Sequence, residues 1–436
     1  MSGVLCLKFS GCDVRLRDER SSVRTDAGRL CRNRRVSQAI DRSKIANSFM
    51  ESRTMSRPLS VAIWGWYGHQ NTGDDALAAT ISWGVDRFMR PGRIDMISPK
   101  RLVLSPGIHA RYLTSVRKVR GFQLRLRVLM ANVYIIGGGS GLHDNGGPAL
   151  LRQRLRLMRA GGLLGQRTIG AGMSLGPIHT PEGEKLLCRV LERTAWMWVR
   201  DQRSLDLARS LGELASRNVG LAVDPAVLID RIGLPEPACL SRPDRPVILV
   251  SPCDYHRVYT SSGSLGDEVR RERLAECLKE ICRKSDAFIR LLVMNGSAHI
   301  GDRLTCDAVA SRLPGERVEV VEYDPNPLFA FRAIQASDLV VGMRLHSLIY
   351  AYAASVPFIA LNYHVKVQDF VEVVGADEVR IVDAHAFDPA ALAEMILQAL
   401  QAPRPARLPS LPVAEAHEQV LAAFQCIADV VGAEKP

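Results

Sequence analysis

The 436-residue chain is 47% hydrophobic and 24% charged, an ordinary globular composition at a length that predicts two or three domains. Its longest apolar run, the 14 residues from Leu348 to Leu361, is broken by Tyr, Ser and Pro, so no membrane-spanning helix is expected. The formal charge of +11 does not point to nucleic acid: residues 1–57 hold 13 Lys/Arg against 6 Asp/Glu, which leaves +4 for the other 379 residues.

Residues 1–57, rich in Arg, Ser, Asp and Asn and without a sustained period, are predicted to form a disordered basic extension. From Leu59 short apolar runs alternate with helical periods, the pattern of a parallel sheet with crossover helices. Strands are predicted at Leu59 to Trp64, Ile94 to Ile97, Val133 to Ile136, Thr168 to Ala171 and Trp196 to Val199. Helices fall between them, at about Asp75 to Met89, Val116 to Met130, Ala149 to Ala160 and Pro181 to Arg193. After the Pro-rich stretch Leu234 to Pro246 a second series begins, with strands at Val247 to Val250, Ala287 to Val293, Val318 to Val320, Asp338 to Val341 and Phe358 to Leu361. The expected division is a domain at 58–240, a second at 241–405, and a linker with a C-terminal helix at 406–436 that crosses back to the first domain. Two doubly wound, Rossmann-like units in tandem place a cleft between them, and the loops after their strands are where chemistry is expected.

Ten cysteines form no CxxC pair and no Cys/His cluster, so neither a disulfide framework nor a zinc site is expected, and a reducing compartment fits. The basic runs Arg117, Lys118, Arg120, Arg125, Arg127 and Arg152, Arg154, Arg156, Arg159 read either as solvated helix faces or as a surface for anionic lipid headgroups or a phosphorylated substrate.

Four motifs follow strands. Gly65 to Leu77 (GWYGHQNTGDDAL) permits close backbone approach to a ligand, with Asn71 to Asp75 capping the next helix, although neither GxGxxG nor GxxxxGK[ST] is present. Gly137-Gly138-Gly139-Ser140 bares the cleft floor, and successive N–H groups there can form an anion nest; His143 and Asp144 follow, the histidine being either catalytic or bonded to its own loop. Gly170-Ala171-Gly172 adds another bare loop. Arg200 offers a fork-shaped donor for carboxylate or phosphate and Asp201 a helix cap, with a surface salt bridge between the two as the alternative. Finally Arg344 and His346 leave one strand end while Tyr363 and Lys366 leave the next. An imidazole between two cations suits an enzyme that binds an anion and moves a proton.

These segments, with Asp224-Pro225-Ala226 and Met343-Arg344-Leu345-His346, stand in the order found in polysaccharide pyruvyl transferases, which the chain resembles over about residues 59–400. The resemblance implies a glycosyltransferase-B-like fold and transfer of a pyruvyl group from phosphoenolpyruvate to a sugar as a ketal, with release of phosphate. It implies His346, Arg344 and Lys366 as the catalytic group, with Gly137, Gly138, Gly139, Ser140 and Arg200 on the donor. Asn71, Gly73, Asp74, His143, Asp144 and Tyr363 are then candidates for the acceptor or its loops. No metal or redox cofactor is expected, since phosphoenolpyruvate is a co-substrate; the acceptor is a sugar or lipid-linked saccharide, and the place is the cytoplasm or the inner membrane face. A nucleotide-sugar glycosyltransferase and a non-catalytic glycan-binding relative are the alternatives. Oligomeric state stays open.

Overall fold

The central strands are short runs of β-branched and aliphatic residues buried on both faces, as parallel strands covered by helices must be. The computed structural model describes residues 58–113, 121–255, 265–376, 380–402 and 408–432. The expected basic extension, part of the linker and Arg117, Lys118 and Arg120 lie outside these.

The first sheet has seven parallel strands: β1 (Ser60–Trp64), β2 (Arg93–Ile97), β3 (Ala110–Leu113), β4 (Val133–Leu142), β5 (Arg167–Leu175), β6 (Trp196–Val199) and β7 (Val219–Leu221), in the order β3-β2-β1-β4-β5-β6-β7. The second has six: β8 (Val247–Ser251), β9 (Phe288–Leu292), β10 (Val318–Val321), β11 (Leu339–Gly342), β12 (Phe358–Asn362) and β13 (Ile381–Asp383), in the order β10-β9-β8-β11-β12-β13. Strand order therefore reverses between β1 and β4 and again between β8 and β11, the two places where a doubly wound sheet opens a crevice at its strand ends. This is the expected pair of Rossmann-like units. Three edge strands, β3, β7 and β13, were not predicted, because ARYL, VGL and IVD are too short to show a period.

The two units are joined directly at the crevice. Thr72 N–H donates to Met294 O (2.9 Å) and Gly296 N–H to Gln70 O (2.8 Å), so the loop after β1 pairs with the segment after β9. The Tyr323 hydroxyl donates to Asp75 Oδ2 (3.2 Å) across the same seam. The helix Val413–Val431 lies against the first unit: Phe424 stacks on Phe88 with centroids 5.9 Å apart and meets Trp198 edge-on at 5.4 Å. Gly84 makes room for it, since a Cβ there would lie 2.3 Å from the Phe424 ring.

Candidate active site between the two sheets

The first loop is built to hold its helix against the second unit. Asn71 is the N-cap of the helix Thr72–Met89, its Oδ1 accepting from Gly73 N–H at 3.3 Å, and Asp75 Oδ1 accepts Gly68 N–H at 2.8 Å. Asp74, in the first helical turn, has no hydrogen-bond partner among the described residues. It points toward β4: a Cβ on Gly139 would lie 3.4 Å from Asp74 Oδ1.

The triple glycine is not a loop. β4 runs through it to Leu142, with Gly137 opposite Ala171, Gly139 opposite Met173 and a register shift before Leu142. The expected anion nest is therefore corrected to a strand whose side chains were removed to admit neighbours. A Cβ on Gly137 would sit 2.0 Å from the Tyr67 hydroxyl, and one on Gly138 2.8 Å from Leu77. Ser140 alone of this run is exposed. Gly170-Ala171-Gly172 likewise lies inside β5, where Gly172 (φ +66) leaves space for Pro225.

His143 and Asp144 do not join the site. His143 Nδ1 accepts its own loop's Asn145 N–H at 3.2 Å. Both Asp144 oxygens are used, Oδ1 by His179 N–H (2.7 Å) and Oδ2 by Thr180 N–H and hydroxyl (2.9 and 2.7 Å), which pins the segment after β5 and holds the carboxyl below its usual range.

The other residues converge. Arg200, buried after β6, donates from Nη1 to Asp224 Oδ2 at 2.5 Å and from Nε to Ser174 Oγ at 2.8 Å. Its partner is thus not Asp201, which instead caps the helix Gln202–Ser210 by accepting Ser204 N–H at 2.7 Å. Arg344, the N-cap residue before the helix Leu345–Ala353, is held bidentately by the fully buried Asp302 through Nε (3.1 Å to each oxygen) and Nη2. Both arginines are therefore paired with carboxylates, Asp224 and Asp302, so of the two cations expected beside His346 the structure ties Arg344 into an ion pair.

His346 opens the same helix and lies against the first unit: a Cβ on Gly73 would be 2.1 Å from its Nδ1. Its Nε2 is buried without a hydrogen-bond partner, 3.9 Å from Asp224 Oδ2. Burial pushes its pKa down to about 4 against the pull of Asp224, with Arg200 and Lys366 adding to the depression, so the ring is neutral at pH 7. Lys366, in the first turn of the helix Val365–Val373, has no hydrogen bond or ion pair on Nζ among the described residues and sits 5.8 Å over the Tyr363 ring. Burial, and then Arg344 and Arg200, lower it to about 8. Asp74 is raised to about 7, by burial first and Asp75 next, while Lys366, Arg200 and Arg344 oppose. Tyr363 is buried, its ring 5.6 Å from Tyr255. The result is an unpaired ammonium, a neutral imidazole with a free buried nitrogen, and a carboxyl whose pKa is raised to about 7.

At the cleft loop, Trp66 is 59% exposed and stacks one face on His69 at 4.0 Å and 15°, leaving the other open. Sequence reasoning gave no role to Trp66 or Asp302, and quoted Asp224 only as part of a motif. Among the described residues no group of three His, Cys, Asp or Glu could hold a metal, and no helix is long and apolar enough to cross a membrane.

Two parallel α/β units meeting at their strand ends over a charged crevice form a fold of the glycosyltransferase-B type. Similar solved structures include HepE from Anabaena in complex with UDP and glucose (12% identity, TM-score 0.53, covering 87% of this chain and 100% of that one). The UDP-GlcNAc 2-epimerase of Methanocaldococcus jannaschii (11%, 0.55, 85% and 99%) and the S. aureus MnaA–UDP co-structure (12%, 0.55, 87% and 99%) share it. No curated protein matches the sequence. The chain belongs to the polysaccharide pyruvyl transferase family, whose model matches residues 43–365.

Proposed function

We propose that this protein transfers the pyruvyl group of phosphoenolpyruvate to two hydroxyls of a saccharide, releasing phosphate. The observation that carries the reading is the convergence, from both units, of Asp74, His346 and an unpaired Lys366 at one interdomain point. Phosphoenolpyruvate brings a carboxylate and a phosphate, and Lys366, without an ion pair among the described residues, is the cation to meet them, while Asp224 and Asp302 hold Arg200 and Arg344 in place beside it.

Two groups whose environments push their pKa values apart divide acid from base. Asp74, protonated, delivers its proton to the methylene carbon while a sugar hydroxyl bonds to the adjacent carbon. The proton of that hydroxyl goes to the neutral His346. The C–O bond to phosphate then breaks, phosphate leaving with the electron pair and the His346 proton. A second hydroxyl closes the ketal and returns its proton to Asp74. Burial keeps His346 neutral, which suits it to the base role and leaves the acid role to Asp74. The open face of Trp66 suits the apolar side of a sugar ring, which supports a saccharide acceptor. The scheme draws no step from a metal or redox group, and its donor places the reaction in the cytoplasm.

The test is a ligand panel followed by turnover. Phosphoenolpyruvate is expected to raise the melting temperature and UDP-sugars are not, and phosphate release should require an added saccharide. Stabilisation by UDP-sugars alone, with no phosphate release on any acceptor, would assign the chain to nucleotide-sugar chemistry; neither response would assign it to glycan binding.

A further inference from the structure

Charge in this chain is segregated along the sequence. From Met96 through Pro181 there are 13 Lys/Arg and a single acidic residue, Asp144, whose oxygens are already used by His179 and Thr180. Two helices of this stretch, Gly121–Leu129 and Ala149–Leu163, contain no carboxylate at all. They pack side by side, tied at their C-terminal ends by Gln166, whose Nε2 donates to Val128 O (2.5 Å) and Ala131 O (3.0 Å). Arg125, Arg127, Arg156 and Arg159 are exposed on them, and none has an ion pair or side-chain hydrogen bond among the described residues. Not every arginine here is free: Arg154 is buried on the Trp64 ring and Tyr134, and Arg152 pairs with Glu182 at 2.5 Å.

At the shared C-terminal end the surface changes character. Leu163 is 90% exposed, Met130 66% and Leu164 63%, the largest exposures among the apolar side chains of this unit. Scattered apolar residues need no explanation, but three together at the edge of an unpaired arginine face do. Nucleic acid would use the guanidinium groups and leave these side chains in water. A bilayer takes both, headgroup phosphates on the arginines and the apolar chains in the acyl boundary. We propose that this face of the first unit docks on an anionic lipid bilayer. The docking depends on no part of the catalytic reading: none of these residues contacts the cleft groups described above.

Co-sedimentation of the full chain with vesicles tests it, using phosphatidylcholine alone and phosphatidylcholine mixed with phosphatidylglycerol. Binding is expected only to the mixed vesicles and to weaken with salt. Because residues 1–57 add their own +7, variants decide the site. Arg156→Gln/Arg159→Gln should lower partitioning about fivefold for each guanidinium removed. Leu163→Ser/Leu164→Ser should weaken binding without altering its salt slope. All four positions are exposed, and unchanged urea midpoints verify folding. Equal binding to neutral vesicles, no binding, unchanged partitioning in both double variants, or tighter binding to duplex DNA would overturn the proposal.

Discussion

Replacing Asp74 with Asn should stabilise the protein in a pH-dependent way while abolishing turnover. Asp74 is raised from 3.8 to about 7, chiefly by burial, so its proton is bound more tightly in the folded chain than in the unfolded one. Stability linked to it is fully present below the unfolded value and is lost as pH rises through the folded one. At about 1.4 kcal/mol per pKa unit, a shift of about three units amounts to about 4 kcal/mol lost between pH 4 and pH 8. The Asn variant cannot lose it. An amide carries its own desolvation cost of about 1–2 kcal/mol, but that cost is the same at both pH values and drops out of the comparison. Asp75, raised to about 6 by burial, titrates in both proteins and cancels to first order. Urea denaturation at stepped pH should therefore show the variant gaining on the parent by about 4 kcal/mol from pH 4 to pH 8, with an unchanged m-value. A stability difference that does not vary with pH would refute the argument that burial holds a proton on Asp74.

Three further substitutions follow from the geometry. Gly73→Ala places a methyl where the His346 ring lies, 2.1 Å from Nδ1. Displacing the ring should lower phosphate release about a hundredfold or more and, as overpacking of a buried site, cost about 1–3 kcal/mol of stability; parental turnover would mean the ring's position is immaterial. Asp302→Ala strands the buried Arg344 guanidinium and should destabilise by about 3–5 kcal/mol in chemical denaturation, whereas a loss under 1 kcal/mol would show that Arg344 finds water or another partner. Trp66→Ala should raise KM for the saccharide severalfold and leave KM for phosphoenolpyruvate unchanged; the opposite split would remove Trp66 from the acceptor side.

How far the site could be read in advance follows from what carries its parts. Arg344 and His346 sit two residues apart at one strand end and Lys366 at the next, so once β11 and β12 are recognised as adjacent parallel strands their neighbourhood is a matter of topology. The carboxylates that neutralise the arginines carry no such signal. Asp224 lies 24 residues from Arg200 and Asp302 lies 42 from Arg344, each on a different loop, and only the folded chain pairs them. The glycine run misled in the usual direction: Gly137, Gly138 and Gly139 have poor strand propensity and read as a loop, yet Tyr67 and Leu77 need the space at the first two, Gly139 takes a φ of +95°, and tertiary packing extends β4 through them. Composition also concealed the polarity of the surface. A net charge of +4 over residues 58–436 looks featureless until the 13-to-1 excess of bases in Met96 to Pro181 is set against a surplus of acids elsewhere.

Most directly, the central claim is tested by incubating the parent chain and His346→Ala with phosphoenolpyruvate and a saccharide found to support turnover. Phosphate release and the mass of the sugar product are followed together. The parent is expected to release one phosphate for each saccharide that gains a pyruvyl ketal, and the variant neither. Phosphate release at the parent rate from His346→Ala, or release in the parent without a pyruvylated sugar, would contradict the account.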